Sequence, residues 1–367
     1  MKRSTLFLIL IVLSLYDAKS TTIRNLSIDE GLSNRRVFGA AIDQKGFMWF
    51  ATKTGIDRYD GESFDHYRIL NNESVRNVKE SYSKQIYVFS ERTLYLYNSA
   101  SDSFEKVVWL GDIAGLNPEA VINALYFDKK DQPFILTNSG VLFLQRGKWE
   151  WVENVEGASV YEMVESAENM HWVATTTGIY GLNTARFPYK KTEMPEFEVL
   201  KSFRVQSLCF DPSLQKLWIG TFAHGMYCYD VAEKKLVKLA YSITRPVKTI
   251  ALVNKSEIWV GIDGEGIYVF DRLSNQLLRI INQNDTEESG LRANGIYHIY
   301  PIKDNVWIST YTAGVFVINT KSIVLQEFNH QRYNVNSLVD DHVNALLEDA
   351  DGDLWFGTNK GLSFYST

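Results

Sequence analysis

The chain has 367 residues, with 38 basic against 44 acidic side chains and a net charge of −6 at pH 7. Binding of nucleic acid is dominated by phosphate neutralisation, and an acidic chain with no basic block is a poor match for it. Aromatic residues at 13% with only seven prolines describe a strand-rich globule with enough chain to bury a large core.

In chain order, the first twenty residues have the three parts of a secretory signal. Lys2 and Arg3 form a positive start, Leu6 to Leu15 is apolar, and Ala18 and Ser20 put small residues at −3 and −1 of a cut before Thr21. The apolar run is shorter than the roughly 20 residues a membrane span needs. Residues 1–20 are therefore expected to be a signal peptide and the rest an exported product without a membrane span. Removing Lys2, Arg3, Lys19 and Asp17 leaves 35 basic against 43 acidic residues, a net −8.

Beyond the signal one phrase recurs. It appears as Asp43-Gln-Lys-Gly-Phe-Met-Trp49-Phe-Ala-Thr52-Lys-Thr-Gly55 and again as Asp349-Ala-Asp-Gly-Asp-Leu-Trp355-Phe-Gly-Thr358-Asn-Lys-Gly361. Between them stand Trp172, Trp218, Trp259 and Trp307, each leading to a glycine, and two weaker copies carry Tyr87 and Phe134 in the Trp place. The anchors fall at 49, 87, 134, 172, 218, 259, 307 and 355, spaced 38 to 48 residues apart. A repeat of this period, once seen, sets the fold.

Each copy reads as four short strands. Val37 to Ile42 is the first, and Asp-x-x-Gly supplies a tight turn. Phe47 to Thr52 is the second, where Trp49 gives bulk for packing one unit on the next. Gly55 opens the third with a backbone conformation other residues resist, and Ser63 to Tyr67 makes the fourth. Four antiparallel strands repeated radially describe a blade, so the fold class expected is an all-β propeller.

The two cysteines are expected to stay unbridged. Cys209 lies in the strand Gln206 to Phe210 and Cys228 in Gly225 to Tyr229, with Leu217 to Thr221 between them. Two strand spacings make about 9.6 Å, beyond the ~7 Å Cα limit for a disulfide.

The pattern Asp-x-x-Gly-x-Leu-Trp-x-Gly-Thr-x-x-Gly-Leu-x-x-Tyr resembles the two-component regulator propeller repeat, found in the periplasmic sensor regions of hybrid two-component regulators of gut Bacteroidetes. The resemblance is strongest in the first copy and the last four. It implies a periplasmic, ligand-sensing propeller of seven blades, in a regulator whose second propeller, membrane span, histidine kinase core and response regulator lie outside this sequence. It also implies a glycan or oligosaccharide ligand and a possible homodimer through the full-length sensor.

Ring closure follows from a second similarity. Ile23-Arg-Asn-Leu-Ser-Ile-Asp-Glu-Gly-Leu-Ser33, before the first inner strand, looks like Phe328 to Leu338 before the last one. Residues 21 to 33 are therefore expected to dock as the outer strand of the closing blade. By family precedent that is the seventh, with residues 21–325 as the propeller and 326–367 as an eighth repeat opening another. The alternative is eight blades in one ring.

Loops from every blade converge on the face where the inner strands begin. The sequence places Arg36, Arg204 and His342 just before an inner strand, with Arg245 and Arg292 a few residues from the same point. Guanidinium groups there would receive carboxylate or sulfate. The facing loops add Lys53, Phe222, His224, Asp263, Glu265 and Tyr311, polar and aromatic surface suited to sugars. No catalytic group, metal site or cofactor is expected. Asp263, Glu265, Asp340 and Asp341 with His224 or His342 form the rival glycan-lyase or hydrolase reading, a protein-binding exported propeller is a further alternative, and Asp349-x-Asp351-x-Asp353 reads as a turn.

Overall fold

The computed structural model describes residues 23–69, 73–152, 158–167, 169–283, 291–321, 330, 337–350 and 352–366. The expected signal peptide, and most of the segment from Phe328 to Leu338, lie outside the described residues. Among the described residues no helix is long and apolar enough to cross a membrane.

The structure is an all-β propeller. Seven antiparallel sheets of four strands run from an inner to an outer edge, and blade 1 is Val37–Ile42, Met48–Thr52, Gly55–Tyr59 and Phe64–Tyr67 in spatial order. The inner strands of blades 2 to 7 are Asn77–Glu80, Ile122–Phe127, Val160–Ala167, Val205–Asp211, Val247–Leu252 and Ile296–Ile302. Each packs against the next, and the seventh packs against the first. Blade 7 takes its outer strand from the other end of the chain, where Ile23–Leu26 pairs antiparallel with Val315–Ile318. The ring thus closes on seven blades, the count expected ahead of eight. The chain divides into two compact units, Thr21–Lys321 and one holding Ser322–Thr367. In the latter, Val343–Glu348, Leu354–Thr358 and Gly361–Tyr365 form a three-stranded sheet.

The anchor residues do the packing expected of them. Trp49, Trp218 and Trp259 are fully buried, each in a cluster that joins its own blade to the next. Trp172 meets Phe210 of blade 5 at 5.2 Å, and Trp307 meets Phe50 of blade 1 at 5.9 Å. The weaker copies play the same part, with Tyr87 on Phe127 of blade 3 at 4.8 Å and Phe134 beside His171 of blade 4 at 6.0 Å. The turn Asp has a second job that the sequence did not disclose. Asp43 and Asp349 accept the indole N–H of Trp49 and Trp355 at 2.9 and 2.7 Å, fixing the ring that packs.

Cys209 and Cys228 are free, and both pair across strands with Trp218, which stands between them as the strand order required. Burial pushes the Cys209 thiol up to about 12 and that of Cys228 up to about 11, so neither is a thiolate at neutral pH.

Two glycines carry backbone that other residues resist. Gly55 has φ of 152°, and an added Cβ would stand 2.5 Å from the Tyr67 carbonyl oxygen. Gly314 has φ of 79° at the closing seam, where a Cβ would stand 2.2 Å from the Leu26 carbonyl oxygen while its own N–H donates to Arg35 at 2.8 Å. The seam buries Leu26 and Leu32 almost completely.

Two truncations separate seven blades from eight. Deleting residues 21–33 strips two buried leucines worth about 1.5 to 3 kcal/mol each, so the thermal midpoint should fall by roughly 10 °C. Ending the chain at Lys321 should leave the midpoint of the ring nearly unchanged. A large loss from the second deletion with none from the first would mean that the eighth repeat closes the ring.

Candidate functional site

The mouth of the ring is assembled by one hydrogen bond repeated from blade to blade. The residue that follows the second strand donates its N–H to the carbonyl of the residue that precedes the inner strand. Lys53 donates to Arg36 at 3.1 Å, Phe222 to Arg204 at 2.9 Å, Asp263 to Pro246 at 3.0 Å and Tyr311 to Gly295 at 2.9 Å. The loop turns on a hydroxyl, since Thr52, Thr137, Thr175, Thr221 and Thr310 each donate to the carbonyl of the glycine that opens or immediately precedes the third strand. The same oxygen accepts a backbone N–H from within the loop. This is why threonine recurs in the phrase, a role that reasoning from Trp and Gly passed over.

A second repeated device shapes the inner rim. The inner strand is bulged after its first residue in blades 1, 3, 4, 5, 6 and 7, leaving Phe38, Asn123, Tyr161, Gln206, Lys248 and Tyr297 outside the ladder. Each is half-buried, while the residue before it is buried. Bulges re-aim side chains and gather near functional sites. No sequence pattern marked these positions, because the bulged residue differs in type from blade to blade.

Two of the expected arginines meet these rims. The Arg36 guanidinium lies over the Tyr311 ring at 4.1 Å, Tyr311 stacks on Tyr297 at 5.3 Å, and Tyr297 meets Phe38 edge-on at 5.5 Å. Arg204 lies over Tyr161 at 4.5 Å and Phe222 at 4.8 Å, and His224 stacks flat on Phe203 at 4.0 Å. Among the described residues neither guanidinium has a hydrogen-bond or ion-pair partner, and Arg204 Nε is buried without one. A guanidinium held by its face on aromatic rings keeps its in-plane donors for a ligand. Burial raises the Tyr297 hydroxyl to about 12, so it remains a donor, with Tyr311 and Asp263 acting in the same direction and Arg36 opposing them.

The other sequence candidates fall elsewhere. Arg245 and Arg292 are exposed, and the charge of Arg292 is felt by Glu30 at the seam. The structure thus brings Arg36 and Arg204 each into an aromatic cradle and leaves Arg245 and Arg292 out of both. His342 belongs to the unit of the eighth repeat, where its Nδ1 is 3.1 Å from Asp340.

Below the rim, polar side chains tie inner strands together. Ser207 donates to the Val247 carbonyl at 3.0 Å, Asn123 to that of Val160 at 3.0 Å, and the Leu208 N–H donates to Glu162 at 3.3 Å. Desolvation pushes the Glu162 carboxyl up to about 7, partly offset by Lys79 and by the Leu208 N–H. Desolvation likewise holds the His298 imidazole down to about 3, with Lys79 adding to the effect. Lys79 belongs to blade 2, Glu162 to blade 4 and His298 to blade 7, each on an inner strand. Glu162 and His298 are both half-buried.

Residues 337–360 match the family model described as two component regulator propeller. The match covers one repeat, in the unit that holds Ser322–Thr367. Among solved structures, the chain aligns with an extracellular domain assigned to a hybrid two component system, BT3049 of B. thetaiotaomicron, at 19% identity and a TM-score of 0.67, over 95% of this chain and 53% of that one. It aligns with an extracellular domain assigned to a one component system, BT4673 of the same organism, at 19% identity and a TM-score of 0.65, over 95% and 46%. It also aligns with virginiamycin B lyase from Staphylococcus aureus at 10% identity and a TM-score of 0.63, over 82% and 99%. The chain spans about half the length of the two extracellular domains. No curated protein sequence matches it.

The acids of the rival catalytic reading already have partners. Asp263 pairs with Lys248 at 3.6 Å, and Glu265 accepts the Tyr268 hydroxyl at 2.9 Å. Asp340 is held to about 2 by Lys360 at 2.6 Å and by the His342 N–H. Asp349 takes the Asp353 N–H at 3.1 Å and the Trp355 indole, in the manner of a turn. Among the described residues no group of three His, Cys, Asp or Glu side chains is placed to hold a metal ion.

Glu162 makes stability depend on pH with a definite sign. Its carboxyl titrates near 7 when folded against an ordinary 4.5, so the folded protein binds more protons between those values and stability falls as pH rises through that window. The fall is at most about 3 kcal/mol, the full shift converted to free energy. His298, lowered from 6.5 to about 3, works the other way, its contribution being lost as pH drops below 6.5. Glu162→Gln should therefore raise the thermal midpoint at pH 8 more than at pH 5. An equal change at both would show that Glu162 is not desolvated.

Proposed function

We propose that this propeller recognises an acidic glycan fragment outside the cytoplasm, as the periplasmic sensor region of a two-component regulator, and performs no chemistry of its own. The observation that carries the reading is the pair of guanidinium groups, Arg36 and Arg204, each stacked on aromatic rings and lacking an acidic partner among the described residues. A uronate or sulfate would take their in-plane donors in bidentate bonds, while Tyr311, Phe222 and His224 offer faces to sugar rings. The likeness to extracellular domains of two component systems supports the sensing role and the location. A bound fragment would be reported by kinase regions of the kind the repeat family implies. The eighth repeat, with Leu346, Leu347, Leu362 and Phe364 exposed on its sheet, would open a further propeller that covers them. The lyase-like fold supports a catalytic alternative less well, because its candidate acids already have partners.

Calorimetry against uronate-containing, sulfated and neutral oligosaccharides tests the reading. Acidic ligands should bind more tightly, and their affinity should weaken with salt, since exposed charges are screened over about 8 Å at physiological ionic strength. Arg36→Ala and Arg204→Ala should each cost ~1.5 to 3 kcal/mol, more than tenfold in affinity. Tight binding of a neutral glycan that ignores both salt and the double variant would move the site to the aromatic loops and away from the arginines.

A further inference from the structure

The two arginine cradles share one construction, and the other junctions between blades lack it. Each junction has two rim positions: the residue just before an inner strand, and the bulge residue of the inner strand that packs on it from the preceding blade. Where blade 7 meets blade 1 these are Arg36 and Tyr297, joined through Tyr311, which lies 4.1 Å from the guanidinium and 5.3 Å from the Tyr297 ring. Where blade 4 meets blade 5 they are Arg204 and Tyr161, in direct contact at 4.5 Å. Among the described residues neither guanidinium has an acidic partner, and Arg204 Nε is buried with no hydrogen bond.

At four of the remaining junctions the residue before the inner strand is Val121, Ser159, Pro246 or Gly295, none of them charged. At the fifth, between blades 1 and 2, it is Arg76, and that guanidinium is paired with Glu91. The one charged bulge residue, Lys248, is paired with Asp263 at 3.6 Å. Among these rim positions, unpaired positive charge is therefore confined to two junctions. Blades 1 to 4 lie between them on one side and blades 5 to 7 on the other, so the cradles stand nearly opposite each other. Sheets pack about 10 Å apart face to face, which makes a ring of seven on the order of 20 Å across at mid-blade. Held on their aromatic rings, the two guanidinium groups cannot close on one carboxylate.

We propose that the mouth is a two-point clamp for a single oligosaccharide that carries at least two acidic groups, one held by Arg36 and the other by Arg204. The clamp rests on the reading of the mouth as a site for acidic glycans and specifies the ligand by spacing, since a fragment too short to span the mouth fills one cradle only. Two contacts joined in one ligand make the second intramolecular, so affinity rises with length without any new contact.

Titration calorimetry of the whole chain with galacturonate and its linear oligomers of increasing length, at fixed pH and ionic strength, tests this. Galacturonate itself should bind twice per chain. Arg36→Ala and Arg204→Ala should each remove one of those sites and keep the other, and the site that is kept shows that the variant is folded. An oligomer long enough to span the mouth should bind once per chain, at least about tenfold more tightly than galacturonate. Either single variant should abolish that gain and return the long oligomer to the affinity of galacturonate. Arg245→Ala, exposed and outside both cradles, should alter neither. The proposal falls if affinity does not rise with length, if the long oligomer still binds twice per chain, or if it keeps its gain in either single variant. A glutamate peptide of matching length that binds as tightly would overturn the assignment to a sugar. Binding of galacturonate with no dependence on length removes the clamp and leaves the acidic-glycan reading standing, whereas no binding of any galacturonate removes both.

Discussion

The geometry of this molecule rests on one seam, the antiparallel pairing of Ile23–Leu26 with Val315–Ile318. Blades packed face to face through Trp49, Trp218 and Trp259 would otherwise form an open arc with two apolar ends. By giving blade 7 an outer strand from the opposite end of the chain, the seam covers Leu26 and Leu32 and brings the seventh inner strand against the first. Gly314 lets it close, since its left-handed backbone turns the chain where any side chain would strike the Leu26 carbonyl. The inner strands then surround one axis, and side chains from distant blades can meet there. The mouth exists because the ring is closed.

Much of this was legible in the sequence, because blade packing uses the same residue types in every copy. The recurrent Trp marked the interface between blades, and the strand order around Trp218 placed the two cysteines apart. The likeness of Ile23 to Ser33 with the segment before the last copy pointed to the closing strand. The number of blades was less legible. An eighth repeat looks like the other seven in sequence, and only the pairing partner of the N-terminal strand distinguishes a ring of seven from one of eight.

The candidate site was legible by position and illegible by composition. Arg36 and Arg204 were found because they share a register. Phe222 and Tyr311, on which they stack, were named with the facing loops, but Tyr161 and Tyr297 were not, because these reach the rim only through a backbone bulge. A bulge inserts one residue without demanding a residue type, so Phe, Asn, Tyr, Gln and Lys occupy equivalent places and no motif results. The desolvated Glu162 and His298 were harder still, since nothing in their own blades' sequence marks an inner-strand acid or imidazole as buried. The register that drew attention to His342 was real, but the repeat that carries it belongs to a different compact unit.

Between blades many polar groups are matched: Asp43 holds Trp49, Arg272 is held by Asp211 and Ser213, and the loop threonines satisfy their own turns. Others are not, for Trp218 Nε1, both His171 nitrogens and the Tyr180 hydroxyl are buried without partners, as are Arg204 Nε, Gln206 Oε1 and His298 Nδ1 on or beside the inner strands. Each such group costs about 1 to 3 kcal/mol relative to a satisfied one. A ring with seven apolar interfaces tolerates that loss, and the same packing that tolerates it keeps the unpaired groups from moving to find partners. Rigid scaffolds hold strained or unsatisfied groups where a ligand is to meet them. What sets Arg204 apart from the unpaired groups between blades is its place at the mouth, where a guanidinium half-buried over Tyr161 and Phe222 keeps donors that packing does not use.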